Sequence, residues 1–391
     1  MRSNRSQTSD REDPLSIEAL LRVPYEPPKA DPPDEVKSFA GWSGIMIDPS
    51  AVGENPRVGF QRLETSREVG AWIMTATHAY LMGLPLLSKT VIPRPKRKRT
   101  QKPRTSIPEP VHHAWNARHY HPMIRPFTER VGKSALGKRV IPTGTIDALF
   151  FGDDNRAPYF PTPYPWTCVG RLETATGQAI GSGALVGRNL VLTARHVILE
   201  NPTPSMKFVP GYYNGQSSSG ASVFSWVKRA NYYEGSDYGA WDFALLTLYQ
   251  PLGDSLGFFG VRTYQDRWDD WNVWAAAGYP AMAPYNSQMP SYLLGVAIDD
   301  ADSNGDALEL ESENQDSSKG QSGGPLWAVW PKGPYIVGVT SANEHIDYGP
   351  FGDDYQVLNA GGKAMVDFVA LARIQIDTTI HINPPHIDLG P

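Results

Sequence analysis

A serine stands between glycines in the segment Lys319-Gly320-Gln321-Ser322-Gly323-Gly324-Pro325. Glycine at position 320 permits a backbone conformation that a Cβ atom would bar, so the N–H groups of Gly320 and Ser322 can converge on one developing negative charge. A serine hydroxyl beside two such donors is what acyl transfer requires. The segment alone also fits an ordinary glycine-rich turn, so the choice depends on other residues.

Two further segments supply a base and an acid. Two short apolar runs around a turn, Gly181 to Val197, contain His196 near their end and predict a β-hairpin that delivers this histidine. Asp242 opens an otherwise apolar strand, where a carboxylate is costly to bury without a partner such as an imidazole N–H. The order His196, Asp242, Ser322 leaves room for several strands between successive members.

In this order the segments resemble the catalytic motifs of the chymotrypsin-like serine proteases. The motifs are Thr193-Ala194-Arg195-His196, Asp242-Phe243-Ala244-Leu245 and Gly320-Gln321-Ser322-Gly323-Gly324-Pro325. Finer matches resemble the glutamyl endopeptidase branch of that family, over roughly residues 150 to 370. They are Gly152-Asp153-Asp154-Asn155-Arg156, in which Asn155 departs from the branch's second Asp, Tyr164-Pro165-Trp166, Pro251-Leu252-Gly253, Gly257-Phe258-Phe259-Gly260 and Gly278-Tyr279-Pro280.

The resemblance implies an all-β fold of two six-stranded β-barrels, with the catalytic residues at their interface. It implies that Ser322 attacks the scissile carbonyl, that His196 is the general base and that Asp242 orients His196. The amides of Gly320 and Ser322 would form the oxyanion hole, and Ser341 would line the substrate groove. No cofactor is implied.

Each catalytic residue has a competing interpretation. His196 by itself fits a hydrogen-bonded structural histidine. Asp237, in Asp237-Tyr238-Gly239-Ala240, is a rival acid, although the strand pattern after Asp242 and the distance to Pro251-Leu252-Gly253 favour Asp242. His78 follows Thr75-Ala76-Thr77 but lacks a preceding Gly-Ser-Gly hairpin, and we expect it to be an ordinary helix histidine.

The substrate preference is open at this stage. The glutamyl branch holds an acidic side chain with a pocket histidine, and that position aligns with Thr340. His345 could replace the missing histidine if its loop is rearranged, but an ordinary surface-loop histidine fits better. Asp316 precedes Ser322 at the spacing at which trypsin-like members place the carboxylate that pairs with a substrate Arg or Lys. It also lies in a polar stretch, where it can simply be solvated.

Composition agrees with a globular all-β enzyme. The chain has 391 residues with 36 Gly and 35 Pro, too many helix breakers for long helices. Its one cysteine, Cys168, has no partner for an intramolecular disulfide, and we expect it to be a buried core residue.

Charge divides the chain near residue 150. Residues 1–150 carry 23 Lys and Arg against 15 Asp and Glu, whereas residues 151–391 carry 13 against 26. We therefore predict a basic pro-region or accessory segment over 1–149, partly disordered, and a chymotrypsin-like protease domain over 150–391. A cationic segment docks readily on an anionic enzyme, and the resemblance implies a zymogen in which cleavage near residue 150 releases active protease.

Within 1–149, residues 1–60 are Pro-rich and polar and predict no core of their own. A helix is predicted from Ser66 to Leu87. The run Arg94-Pro95-Lys96-Arg97-Lys98-Arg99 predicts an exposed linker or processing site. A nuclear signal or nucleic-acid contact is the alternative, which the lack of interleaved aromatic residues disfavours.

Other classes of function are disfavoured. Gly70 to Leu87 lacks Asp, Glu, Lys and Arg, but its Thr, His, Gly and Pro argue against a membrane span. His112, His113, His119 and His121 come without a CxxC or HExxH pattern, so no metal is expected. No apolar stretch follows the first ten residues, so no Sec signal is readable there; the resemblance implies secretion, and the localisation stays undecided.

These features together predict a serine endopeptidase that acts on protein or peptide substrates. Two alternatives remain: a protease-like binding module without turnover, and an esterase that uses the same triad. Retention of the triad together with Gly320 argues against a binding module, which needs none of them for binding.

Overall fold

The computed structural model of the protein describes residues 13–21, 61–63, 71–73, 87–94, 144–146, 148–201, 203, 205–235, 238–331, 333–347 and 353–379. The rival acid Asp237, His78 and the histidines between 112 and 121 lie outside these residues. So does the basic run after Arg94.

The described residues form mainly short antiparallel strands. The strands are β1 (Gln61–Leu63), β2 (Ala71–Ile73), β3 (Ser88–Ile92), β4 (Gly144–Ile146), β5 (Ala148–Leu149), β6 (Ala157–Pro158), β7 (Val169–Thr174), β8 (Ala179–Gly187), β9 (Leu190–Thr193), β10 (Met206–Pro210), β11 (Tyr212–Tyr213), β12 (Gln216–Ser217), β13 (Ser225–Tyr233), β14 (Ala244–Leu248), β15 (Gly260–Val261), β16 (Trp274–Gly278), β17 (Ser291–Val296), β18 (Asp300–Asn304), β19 (Ala307–Ser312), β20 (Ser317–Ser318), β21 (Pro325–Trp330), β22 (Gly333–Asp347) and β23 (Asp353–Gly361). The α-helices are α1 (Ile17–Leu21), α2 (Arg195–Leu199), α3 (Leu252–Leu256) and α4 (Lys363–Thr379).

The first sheet closes into a barrel. Its strands follow the order β10-β7-β8-β9-β14-β13, and β10 pairs again with β13 to complete the ring. The strands β9 and β14 are apolar on both faces because one face fills the barrel and the other packs against the rest of the protein. β3 joins this sheet as a seventh strand, parallel to β13.

The second sheet has ten strands. Eight follow the order β18-β19-β23-β22-β21-β16-β17-β6, and β4 and β15 pair with β22 beside this path. Its core contains Trp268, Trp274 and Trp330, whose ring centroids lie 5.6 to 6.0 Å apart. The all-β chymotrypsin-like fold is thus confirmed, although this sheet exceeds the six strands expected of a second barrel because short segments such as β4, β6 and β15 extend it.

Pieces of the predicted accessory region form backbone hydrogen bonds with the predicted protease domain. β4 pairs with β22, β5 pairs with β20, and the Leu15 N–H donates to the Val329 carbonyl. Regular structure therefore continues across residue 150. The division into segments 1–149 and 150–391 stays a prediction. Residues 71–73, within the predicted helix from Ser66 to Leu87, form β2 instead, since they pair with β1.

No helix in the described part of the chain is long and apolar enough to cross a membrane. Cys168 is fully buried, as expected, and lies in the 3-10 helix Trp166–Cys168. Its thiol donates to the carbonyls of Leu256 and Gly257.

Candidate active site

The imidazole of His196 meets the carboxylate of Asp242 at one end of the first barrel. The hairpin of β8 and β9 leads directly into α2, and His196 is the second residue of that helix. Its Nδ1 lies 2.6 Å from Oδ2 of Asp242, and its backbone N–H donates to Oδ1 at 2.9 Å. The two-point contact fixes both the ring and the backbone of His196 against the acid.

Asp242 is fully buried, so its charge depends on donors for stability. Besides His196, the hydroxyl of Ser341 donates to Oδ2 at 2.6 Å. Ser341 is held in turn, since its Oγ accepts the Gly239 N–H at 2.9 Å. Ser341 was predicted to line the groove; it lines the cleft and also contacts the acid directly.

The loop that carries Ser322 has an unusual backbone at Gly320. Its φ is +96°, and a Cβ there would lie 2.4 Å from the carbonyl oxygen of Tyr279, so only glycine fits. The N–H groups of Gly320 and Ser322 donate to no acceptor among the residues that the structure describes. Two neighbouring donors thus remain available beside the serine.

Ser182, in the Gly-Ser-Gly sequence of β8, anchors this loop to the first barrel. Its N–H donates to the Ser322 carbonyl at 2.8 Å, and its hydroxyl donates to the Gly320 carbonyl at 2.7 Å. The same hydroxyl accepts the N–H of Tyr279 at 2.9 Å. In the sequence this segment indicates only a hairpin, because contacts over so long a sequence separation leave no local pattern.

Arg156 holds the same loop from the other side, and its side chain is fully buried. The guanidinium is bidentate to Asp154 at 2.8 and 2.9 Å and donates to the Ser318 hydroxyl at 2.8 Å. It also donates to Oε1 of Gln321, the residue before Ser322. In the sequence, only the resemblance of Gly152 to Arg156 to the glutamyl endopeptidase branch drew attention to Arg156.

His196 and Ser322 line one cleft between the two sheets. The residues that line it are His196, Glu200, Tyr238, Ser317, Ser318, Lys319, Ser322, Thr340, Ser341, Ala342 and Asn343. The Tyr238 ring lies 5.1 Å from the His196 ring, and its hydroxyl donates to Glu200. Burial and this hydrogen bond raise the pKa of Tyr238 to about 12, so the phenol stays protonated at neutral pH.

The structure does not place the carboxylate of Asp316 in the cleft. Asp316 is fully buried, and its two oxygens accept the N–H groups of Phe151 at 2.9 Å and Asn155 at 2.6 Å. Burial raises the pKa of this carboxyl above its ordinary value, and the two N–H donors offset that rise only in part. The carboxyl oxygens therefore face the backbone near Arg156 and not a bound substrate.

Thr340 lines the cleft and accepts a hydrogen bond from the Gln315 amide at 3.2 Å. The Gln315 side-chain oxygen accepts a hydrogen bond from the Asn359 amide, so the side chains directly behind Thr340 are uncharged. His345 lies further along β22, where it is buried and stacked on Tyr355 with ring centroids 4.5 Å apart. It does not line the cleft.

Within the described residues, no group of three or more His, Cys, Asp or Glu side chains is arranged to hold a metal ion. The polar groups that line the cleft are mostly hydroxyls and amides, with one imidazole (His196), one carboxylate (Glu200) and one ammonium (Lys319), a set that suits a peptide better than a cation.

A closed β-barrel joined to a second sheet, with a histidine and a serine that line one cleft, is the arrangement of the chymotrypsin-like serine proteases. A model of the family described as Trypsin matches residues 156–351, about half of the chain. The chain belongs to this family of serine proteases.

The chain is also similar to two solved structures. One is a Glu endopeptidase in complex with MPD, at 17% identity and a TM-score of 0.42, covering 58% of this chain and 100% of that one. The other is the protease Anisep from Arthrobacter nicotinovorans, at 20% identity and a TM-score of 0.38, covering 55% and 99%. No curated protein gives a significant match to this chain.

Proposed function

We propose that the protein is a serine endopeptidase whose catalytic residues are His196, Asp242 and Ser322. The observation that carries this proposal is the two-point contact of His196 with a fully buried Asp242, at the edge of the cleft that Ser322 lines. With a proton on Nδ1 held by Asp242, Nε2 is free to accept the Ser322 proton as the hydroxyl attacks a carbonyl. The proton then passes to the leaving amine, and water releases the acyl group from Ser322.

The oxyanion of the tetrahedral intermediate would bind the N–H groups of Gly320 and Ser322. In comparable enzymes the loss of one such donor costs about 3 to 4 kcal/mol of transition-state stabilisation. Support comes from the positive φ of Gly320 and from the contacts of Ser182, which hold the loop before the substrate arrives. Such preorganisation means that the donors need not be reoriented during the reaction.

Thr340 and Ser341 are proposed to contact the substrate. The cleft is lined by Lys319, beside the Ser322 loop, and by Glu200, which accepts the Tyr238 hydroxyl. The Asp316 carboxylate is occupied by backbone N–H groups. We infer a preference for acidic over basic substrate side chains, because Lys319 attracts the former and repels the latter.

Residues 1–149 are proposed to act as a region that accompanies the protease domain. The opposite net charges of the two parts favour their association. Adding residues 1–149 in trans to residues 150–391 tests this, because a segment that neither inhibits the enzyme nor helps it to fold would contradict the proposal.

The endopeptidase is tested by incubating the purified full-length chain with a mixture-based peptide library and with matched ester substrates. We expect internal amide bonds to be cleaved by the wild type and by neither Ser322→Ala nor His196→Ala. Ester cleavage without amide cleavage would favour an esterase, and no cleavage of either by folded protein would favour a binding module.

A further inference from the structure

β3 fills an edge that the first barrel's own strands leave open. β10 closes the barrel by pairing with only the first two residues of β13, and a bulge follows. The remainder of β13, Arg229–Tyr233, would otherwise present unpaired N–H and C=O groups on one side. β3 pairs with this whole stretch in parallel.

One end of β3 contacts the helix that carries the proposed general base. The Nζ of Lys89 donates to the carbonyl of Ile198 at 3.0 Å, in α2 two residues after His196. This carbonyl lies near the helix C-terminus, where a cation is favourable. β3 thus links α2 to β13.

The other end reaches the segment before the proposed catalytic acid. Nε of Arg94 donates to the Glu234 carbonyl at 2.9 Å, and the guanidinium lies 5.5 Å from the centre of the Trp241 ring. The same Glu234 carbonyl also accepts Nη1 of the buried Arg195 at 3.3 Å. Since Trp241 precedes Asp242, this region contacts both segments that position the triad.

Apolar residues at the two ends of β3 pack against the rest of the protein. Leu87, just before the strand, is 9% exposed and belongs to the main hydrophobic core, and Ile92 packs against that core. Val91, next to Ile92 in the strand, is 54% exposed. The segment is therefore attached by backbone pairing, apolar burial and two cations together, although it lies in the part of the chain expected to be removed.

We propose that Ser88–Ile92 is a lasting component of the active enzyme: an intramolecular strand that completes the open edge of β13, braces the segments carrying His196 and Asp242, and stays bound after the chain is cut between it and residue 150. The inference rests on the proposed triad and deepens the proposed function. On this proposal the part of the N-terminal region that contains β3 stays bound after cleavage, whereas the resemblance implied its release.

The test uses the full chain, with a recognition sequence for a site-specific protease inserted between Thr105 and Ser106, outside the described residues. The uncut chain is first allowed to fold, is then cleaved at the inserted site, and is analysed by gel filtration in native buffer. We expect the fragment that contains β3 to co-elute with the remainder, and a fluorophosphonate probe to label Ser322 at the uncut rate. Separation of the two pieces would overturn the proposal.

Two matched variants assign the attachment to β3. Ile92→Asp places a charge against the core, whereas Val91→Asp places the same charge in solvent one residue away. After cutting, Ile92→Asp should retain less of the fragment than the wild type, although Asp13 and Leu15 still hold the fragment through Trp268 and Val329. It should also label at least about tenfold more slowly, whereas Val91→Asp should behave as the wild type. Equal retention and labelling by both variants would contradict a role for this strand.

If Ile92→Asp lacks a native near-UV circular dichroism spectrum before cutting, the double variant Lys89→Met, Arg94→Met replaces it, since it disturbs no apolar burial. After cutting, Ser322 of the double variant should be labelled more slowly than in the wild type. An unchanged labelling rate would indicate that the strand braces neither the His196 segment nor the Asp242 segment. Co-elution does not depend on enzyme activity and tests only the retention of β3. Absence of Ser322 labelling in the uncut wild type would therefore refute the proposed function and leave the test of retention intact.

Discussion

Replacement of Arg156 by Met tests whether the buried guanidinium sets the geometry of the serine loop. Met keeps most of the apolar length of the side chain but removes its hydrogen bonds to Asp154, Ser318 and Gln321. The peptide before Ser322 then loses its charged anchor. The N–H of Ser318 still donates to Oε1 of Gln321 at 3.0 Å, so the loop is loosened and not unfolded.

The size of the effect follows from the burial of the pair. Removing one partner of a buried ion pair costs about 3 to 5 kcal/mol of unfolding free energy. The Asp154 side chain keeps 18% of its surface exposed, which allows hydration of the uncompensated carboxylate and favours the lower end, about 3 kcal/mol. A displacement of about 1 Å at the nucleophile costs on the order of 100-fold in rate.

The assay is the second-order rate of fluorophosphonate labelling at Ser322, with urea unfolding measured on the same preparations. Arg188→Met is the matched control, because Arg188 is likewise bidentate to an aspartate, Asp254, and lines no part of the cleft. Both variants should lose stability, but only Arg156→Met should label about 100-fold more slowly. Equal labelling rates in folded samples of the two variants would refute the anchoring role.

Three further variants address the acid, the oxyanion hole and the substrate preference. Asp242→Asn should lower kcat/KM for a peptide substrate by about 10⁴-fold, because the amide stabilises the wrong His tautomer; a loss below about tenfold would contradict the proposed role. Gly320→Ala should lower kcat by about 100- to 1000-fold, since its Cβ would meet backbone, whereas Gly177→Ala, also at positive φ but with open space around the Cβ, should keep full activity. Lys319→Glu should shift cleavage from acidic towards basic peptides in a library, and an unchanged profile would show that Lys319 does not select the substrate.

The sequence predicted the main features of the site where the determining pattern is local. A glycine-bounded serine, an apolar hairpin that ends in His196 and an acid before an apolar strand each occupy a few consecutive residues. The structure brings His196 and Asp242 into contact and places Ser322 in the same cleft. The all-β fold was implied by the resemblance of these segments to the chymotrypsin-like proteases, and the composition agreed with it.

Long-range contacts were not predictable in this way. The hydrogen bond from Arg156 to Ser318 joins residues 162 positions apart, and that from Ser182 to Gly320 joins residues 138 apart. Nothing in either local sequence names its partner. Likewise β6 and β15 are two residues long, too short to show the alternation of a strand.

For Asp316 the position in the sequence did not predict the direction of the side chain. Its spacing from Ser322 is that of a substrate-binding carboxylate, yet the side chain turns towards the N–H groups of Phe151 and Asn155. A spacing along the chain fixes where the backbone runs, whereas burial and available donors decide where the carboxylate points. The preference for basic substrates that this spacing suggested is therefore not part of the proposal.

The most direct test of the central claim is to map the site of fluorophosphonate labelling in the purified full-length chain. We expect one labelled peptide, carrying the probe on Ser322, with labelling abolished in Ser322→Ala and strongly slowed in His196→Ala. Absence of labelling in folded wild-type protein, or equal labelling of the wild type and Ser322→Ala, would contradict it.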